Sequence, residues 1–169
     1  MPNRLTNKEI AILILQTIVD EDSGKQNDLH FQCIKVPSVS IDKFIRTIHR
    51  KEYDFLWIIT LIYMSMIQNN TSIKFNNNNI HRYIAIAYIL AIKQYDDTFA
   101  ANKYINDKIG LEYDEIYYME VDFLNKIDWS SLVDKCLIYQ YRKNLINDLY
   151  DIYINWNGKG IIPISIEKK

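Results

Sequence analysis

Glycine, proline and cysteine are scarce in this chain: four, three and two among 169 residues. So few turn-forming positions exclude an all-β fold strung on tight turns. They also exclude a glycine-rich loop that could cradle phosphate. Cys33 and Cys136 stand about a hundred positions apart, match no metal-ligand spacing, and fit two ordinary thiols in a reducing compartment. The three histidines, His30, His49 and His81, lack the spacing of a metal site. No serine or cysteine sits in a nucleophile-elbow context. Paired carboxylates such as Asp96-Asp97 lie where the amides at a helix N-terminus attract negative charge. These absences argue against an enzyme, a metal and a cofactor alike.

Excess charge is missing as well. The formal net charge is −1, so there is no basic surplus to attract a nucleic acid. Long hydrophobic runs are absent too. The longest stretch, Phe55–Ile67, has 13 residues, whereas a membrane span needs roughly 20. The segment Ile10–Val19 has the length of a signal-peptide core, but acidic Asp20-Glu21-Asp22 follows it in place of a small-residue cleavage site. The expectation is a soluble intracellular protein of cytoplasm or nucleus, with no nucleic-acid or membrane partner.

What the chain does have is apolar residues at helical spacing. The hydrophobic fraction is 49%, enough for one substantial core. Thr6 and Glu9 form a capping-box pattern ahead of Ile10, Leu13, Ile14 and Ile18, which predicts a helix from about 7 to 20. Residues 20–36 read as a polar linker with a short extended piece at Phe31–Val36. Pro37, Ser38 and Ser40 open a second helix with its stripe at Ile41, Phe44, Ile45 and Ile48. Asp54 is the expected cap of a third helix running to about Asn69, and the asparagine-rich stretch Asn69–Asn79 is the loop after it. Ten consecutive apolar or aromatic residues, Tyr83–Ile92, follow and then meet Lys93 directly. A helix apolar all round belongs at the centre of a bundle. Further helices are expected at about 99–109, begun by Asp96-Asp97-Thr98 and stopped by Gly110, at 113–127, and from Leu132 to about Trp156. The tail after Asn157-Gly158 is expected to be frayed or extended. The fold class is therefore all-α, and the 13 tyrosines read as core and rim residues rather than stacking platforms.

Order and spacing make the pattern specific. His81-Arg82 opens the central helix, Ala91-x-Lys93 ends it, and Asp97 and Asn102 follow. Tyr118-Met119-Glu120 precedes Phe123-Leu124, and Ile127-Asp128-Trp129 comes next, with Glu120 placed 27 positions after Lys93. This series resembles the cyclin box, most closely that of the P/U-type, Pho80-like cyclins, over about residues 37–130. Leu56–Ile67 (with Trp57, Leu61, Ile62 and Tyr63) is a looser match to the second box helix. There are departures. Thr47 and Met66 stand where family members usually carry arginine, Arg46 is one residue early, and the usual glycine pair is reduced to Ile109-Gly110.

The resemblance implies a single five-helix cyclin box at 37–130, an N-terminal helix and linker at 1–36, and a C-terminal helix and tail at 131–169. It implies a regulatory subunit that binds a cyclin-dependent protein kinase of the Pho85-like class and holds the kinase's αC helix in the active position. Lys93 and Glu120 would form a polar clamp on the start of αC, with Leu124 and Trp129 as apolar contacts. His81, Arg82, Asp97 and Asn102 would be structural residues of the box. Plainer readings stand beside these. Lys93 is also what a helix C-terminus favours, by about 0.3–1 kcal/mol. Glu120 reads equally as a solvated helix residue, and Trp129 as a core anchor closing the bundle. The alternatives for the whole chain are a cyclin-fold adaptor that binds partners without activating a kinase, and a small helical enzyme or carrier, which would need a deep pocket of convergent polar groups.

Overall fold

A helix that is apolar on every side is stable only when other helices enclose it, and the fold is organised around that requirement. The computed structural model describes residues 5–155 apart from 22, 25 and 27, with side chains through Leu149. The expected helix end at Trp156 and the tail after it lie outside the described residues. Seven α-helices occur in this part of the chain: α1 (Asn7–Thr17), α2 (Ile41–Ile48), α3 (Leu56–Asn70), α4 (Ile80–Tyr95), α5 (Ala101–Ile109), α6 (Tyr113–Lys126) and α7 (Lys135–Asn155). A single 3-10 turn, Lys51–Tyr53, lies between α2 and α3. No strand is present among the described residues. Twelve of the 16 residues of α4 are buried, and α2, α3, α5 and α6 all pack against it. α1 lies on α2 and α3, and α7 lies on α3.

Two of the expected helix signals act as read. Thr6 accepts from the Glu9 amide at 3.2 Å while the Glu9 carboxylate accepts from the Thr6 amide at 2.7 Å, completing the capping box of α1. Gly110 ends α5 with φ +70°, a left-handed backbone that glycine adopts without the Cβ penalty.

Asp54 does something different from what was expected. Its carboxylate does not cap α3; it accepts from the amides of Asn7 (3.0 Å) and Lys8 (3.2 Å), so it caps α1 from across the bundle. A side-chain oxygen reaches whichever unpaired helix amides the packing brings near, and the first turn of α1 has such donors. The start of the fifth helix differs likewise. Asp96-Asp97-Thr98 forms a turn ahead of α5, with Asp96 accepting from the Thr98 amide at 3.0 Å and from the Tyr53 hydroxyl at 2.7 Å.

Residues 20–36 are less of a linker than their polarity indicated, and Phe31–Val36 forms no extended piece. Asp28 and Phe31 are buried. Phe31 stacks on Tyr83 of α4 with ring centroids 3.9 Å apart, and Asp28 accepts from the Tyr83 hydroxyl at 2.6 Å. Lys126 of α6 reaches the other Asp28 oxygen at 3.1 Å and Asp122 at 2.6 Å. Burial, together with the bond to Asp28, pushes the Tyr83 hydroxyl far above the usual tyrosine range, so it is a permanent donor. The segment thus straps α4 to α6. The asparagine loop is also built in. Asn79 accepts from the Asn76 amide at 2.9 Å, and Asn76 donates to the Ser23 carbonyl at 3.0 Å.

Removing the Asp54 carboxylate leaves two helix amides of α1 without their acceptor. Asp54→Ala is expected to lower stability by about 1–2 kcal/mol. The check is a denaturant midpoint together with amide exchange, in which Asn7 and Lys8 should lose protection before the core does.

Candidate functional site

Lys93 lies in the last turn of α4, where the apolar run has already met the core and the helix emerges. Glu120 lies in the middle of α6 among Ile116, Met119 and Phe123, and its side chain is only 10% exposed. A carboxylate so far out of water needs partners for both oxygens. Lys93 Nζ meets Oε1 at 2.6 Å, and Asn102 Nδ2 donates to Oε2 at 3.0 Å. Lys93 itself is 41% exposed, so the pair is desolvated on the Glu120 side and open on the lysine side. The reading of Glu120 as a solvated helix residue is therefore incorrect; packing against the α4–α5 corner buries it.

The corner itself is held from several directions. Tyr63 of α3 donates to the side-chain oxygen of Gln94, next to Lys93, and also lies 2.6 Å from the Ser131 carbonyl beyond α6. Burial raises the Tyr63 hydroxyl above the usual range, which keeps it protonated and donating. Asn102 is the second residue of α5 and is delivered to Glu120 by the Asp96 turn. Asp97 is exposed, and its neighbour Asp96 makes the contacts of that turn.

Beyond α6 the backbone takes a costly route. Asp128 and Trp129 have φ of +52° and +57°, two successive left-handed residues, neither of them glycine. The Trp129 amide donates to the Leu124 carbonyl at 2.8 Å, so the turn satisfies the end of α6. Its consequence is that the indole points outward. Trp129 is 60% exposed, and its Nε1–H donates to Asn125 Oδ1 at 2.9 Å. The core-anchor reading of Trp129 fails, because the left-handed turn turns the side chain away from the bundle. Leu124, one helical turn after Glu120, is half-buried against the core, and Leu132 is 88% exposed. Leu132, the expected start of the last helix, instead lies exposed ahead of α7, which begins at Lys135.

His81 and Arg82 are three turns from Lys93 and serve packing. The buried His81 ring bonds the Val39 carbonyl through Nε2 at 2.8 Å and presents an edge contact to Phe44. Arg82 donates to the His30 carbonyl at 2.9 Å and pairs with Glu115 at 3.1 Å, joining the start of α4 to the first turn of α6. Thr47, one of the positions where an arginine was expected, is exposed, while Arg46 pairs with Asp42 on its own helix at 2.9 Å.

A cavity of about 480 Å³ opens beside His81, between Phe44, Val39, Ile109 and Leu111. Among the described residues its titratable lining is His81, Arg82, Lys35, Lys108 and Cys33. Among the described residues no three His, Cys, Asp or Glu side chains gather as metal ligands. None of the described helices is long and apolar enough to cross a membrane.

Comparison with known proteins bears on this corner. A family model described as Cyclin matches residues 10–131, starting inside α1 and taking in the strap as well as α2–α6. The chain is similar to Cyclin-U4-3 of Arabidopsis thaliana, 27% identical over 129 residues that cover 73% of this chain and 58% of that protein. It is also similar to Cyclin-U2-1 of Arabidopsis thaliana, 26% identical over 97 residues, or 56% of this chain and 44% of that protein. The chain thus spans about half the length of these curated relatives.

Burial lowers the pKa of His81 below its ordinary value, and burial followed by the Lys8 charge does the same for His49. A histidine whose folded pKa is depressed binds its proton more readily when unfolded. Its contribution to stability is therefore present above about pH 6.5 and is lost as pH falls from there towards the folded value. The melting temperature should drop on acidification from about pH 7.5 to 5.5, and the drop should be smaller in His81→Gln. An equal drop in both proteins would remove His81 as the cause.

Proposed function

The chain belongs to the cyclin family, and on that premise we propose that it is a regulatory subunit that binds and activates a cyclin-dependent protein kinase of the Pho85-like class. The observation that carries the reading is the Lys93–Glu120 pair, 2.6 Å apart, inside the bundle at one end and open to a partner at the other. An ammonium has three N–H donors, and Glu120 Oε1 takes one. Lys93 is 41% exposed, and we propose that the other two donors serve a partner, with backbone carbonyls at the start of a kinase αC helix accepting them. Leu124 lies one helical turn after Glu120, and Trp129 and Leu132 expose apolar area just beyond the end of α6. This is the common layout of an interface, with a few aromatic or aliphatic anchors around a fixed polar group.

Activation follows by differential binding. A surface complementary to αC only in its inward position shifts the kinase towards the state in which its strand lysine and αC glutamate pair around ATP phosphates. The chain does no chemistry in this scheme and needs neither cofactor nor nucleic acid. On this reading the box is residues 37–130, flanked by 1–36 and 131–169, and the proposed site of action is the cytoplasm or nucleus.

Trp129 makes the sharpest test, because it is exposed and its removal leaves the core intact. Trp129→Ala is expected to change stability by no more than about 0.5 kcal/mol. It should weaken kinase binding by about 2 kcal/mol or more, roughly thirtyfold. Affinity purification from the source organism, followed by kinase assay with the recombinant chain, gives the direct readout. Glu120→Lys should also abolish capture, but it sets a second ammonium against Lys93 in a buried site and lowers stability, so Trp129→Ala is the deciding variant. Capture of a stable non-kinase partner, with no kinase activity raised, would favour the cyclin-fold adaptor and sink the activator reading.

A further inference from the structure

We infer that Asn102 is a positioning residue for the partner-binding pair: it holds Glu120 so that Lys93 keeps two of its N–H donors for the partner. The inference rests on the clamp reading for its functional consequence, but its geometric half stands on the isolated chain. Glu120 offers two oxygens in a site with little water. A lone lysine beside such a carboxylate would be drawn between both of them, because the second oxygen would otherwise lack a donor. In this chain Asn102 Nδ2 takes Oε2 at 3.0 Å, and Lys93 Nζ bonds Oε1 alone at 2.6 Å. The division fixes the carboxylate plane and keeps the ammonium at the open edge, where Lys93 is 41% exposed.

Three further observations agree. Asn102 stands in the first turn of α5, yet α5 has no side-chain cap, so the amide serves Glu120 rather than its own helix. Its position is set from a distance, since Asp96 folds the turn before α5 and is itself held by Tyr53 at 2.7 Å. Finally, Asn102 Oδ1 is buried and meets no donor among the described residues. An amide that leaves its buried oxygen unpaired contributes poorly to stability, so its useful contribution is the single bond to Glu120. Asn102 was grouped with the structural residues of the box; this geometry assigns it to the Lys93–Glu120 pair instead.

The test uses the full chain and separates the two halves of the claim. In a ¹⁵N–¹H spectrum at low temperature, the wild-type Lys93 ammonium should give a signal distinct from those of solvent-exposed lysines. Asn102→Leu should abolish that signal or merge it with the rest, while the melting temperature stays within about 3 °C of wild type. With a purified Pho85-like cyclin-dependent kinase as probe, the same variant should bind about tenfold more weakly. If the Lys93 signal is unchanged in Asn102→Leu, the positioning role is wrong, whatever the kinase does. If the signal is lost but kinase affinity is unchanged, Asn102 holds Glu120 as inferred and the clamp reading is what fails. If wild type binds no such kinase, the spectrum still decides the geometric half. Should Asn102→Leu not fold, Glu120→Gln serves instead: the Asn102 side-chain amide signal should move, and an unmoved signal overturns the inference.

Discussion

Enclosure of α4 is the constraint on which the rest depends. Its buried residues run without interruption from Tyr83 to Ile92, so no face can be left to water. At about 25 cal/mol per Å² of apolar surface, leaving one side open would cost several kcal/mol, comparable to the net stability of a whole domain. The other elements are arranged accordingly. α2, α3, α5 and α6 surround α4, and the strap of residues 28–33 fills the remaining groove with Phe31. The same constraint locates the site, because the helix can emerge only where its apolar run stops, at Lys93.

The polar groups that accompany this core are paired in a consistent way. Asp28 is buried between a tyrosine hydroxyl and a lysine, and Glu120 between a lysine and an asparagine amide. In each case a buried carboxylate has one charged and one neutral donor, so neither oxygen is left desolvated without a bond. Asp28 pairs with Lys126, only 16% exposed, and closes the structure; Glu120 pairs with a lysine 41% exposed and leaves a group that can meet a partner. The difference in lysine exposure is what sets the proposed binding pair apart from an internal tie.

Cost and exposure coincide at Trp129. Two left-handed residues in succession cost on the order of 1–2 kcal/mol each, and a large indole left in water forgoes the burial it would have in the core. A chain under selection for stability alone has cheaper ways to end α6, glycine being one, as Gly110 shows at the end of α5. The cost at 128–129 leaves the indole outside the bundle, which is the placement the proposed partner contact at Trp129 requires.

Sequence alone determined the helical content, the central place of α4, the Thr6–Glu9 capping box, the stop at Gly110 and the ordered residues that resemble a cyclin box. Each of these is a local or periodic property, read from neighbours three or four residues apart. Tertiary structure decided the rest. Asp54 caps α1 instead of α3, Asp28 and Phe31 turn a polar segment into part of the core, Trp129 faces outward, and Asn102 shares Glu120 with Lys93. These outcomes depend on which groups distant in sequence are brought within about 3 Å, and hydrogen bonds of that length are set by how the helices pack. No periodicity along the chain encodes that distance, so the pattern could name Lys93 and Glu120 as a proposed pair but not the way they are held.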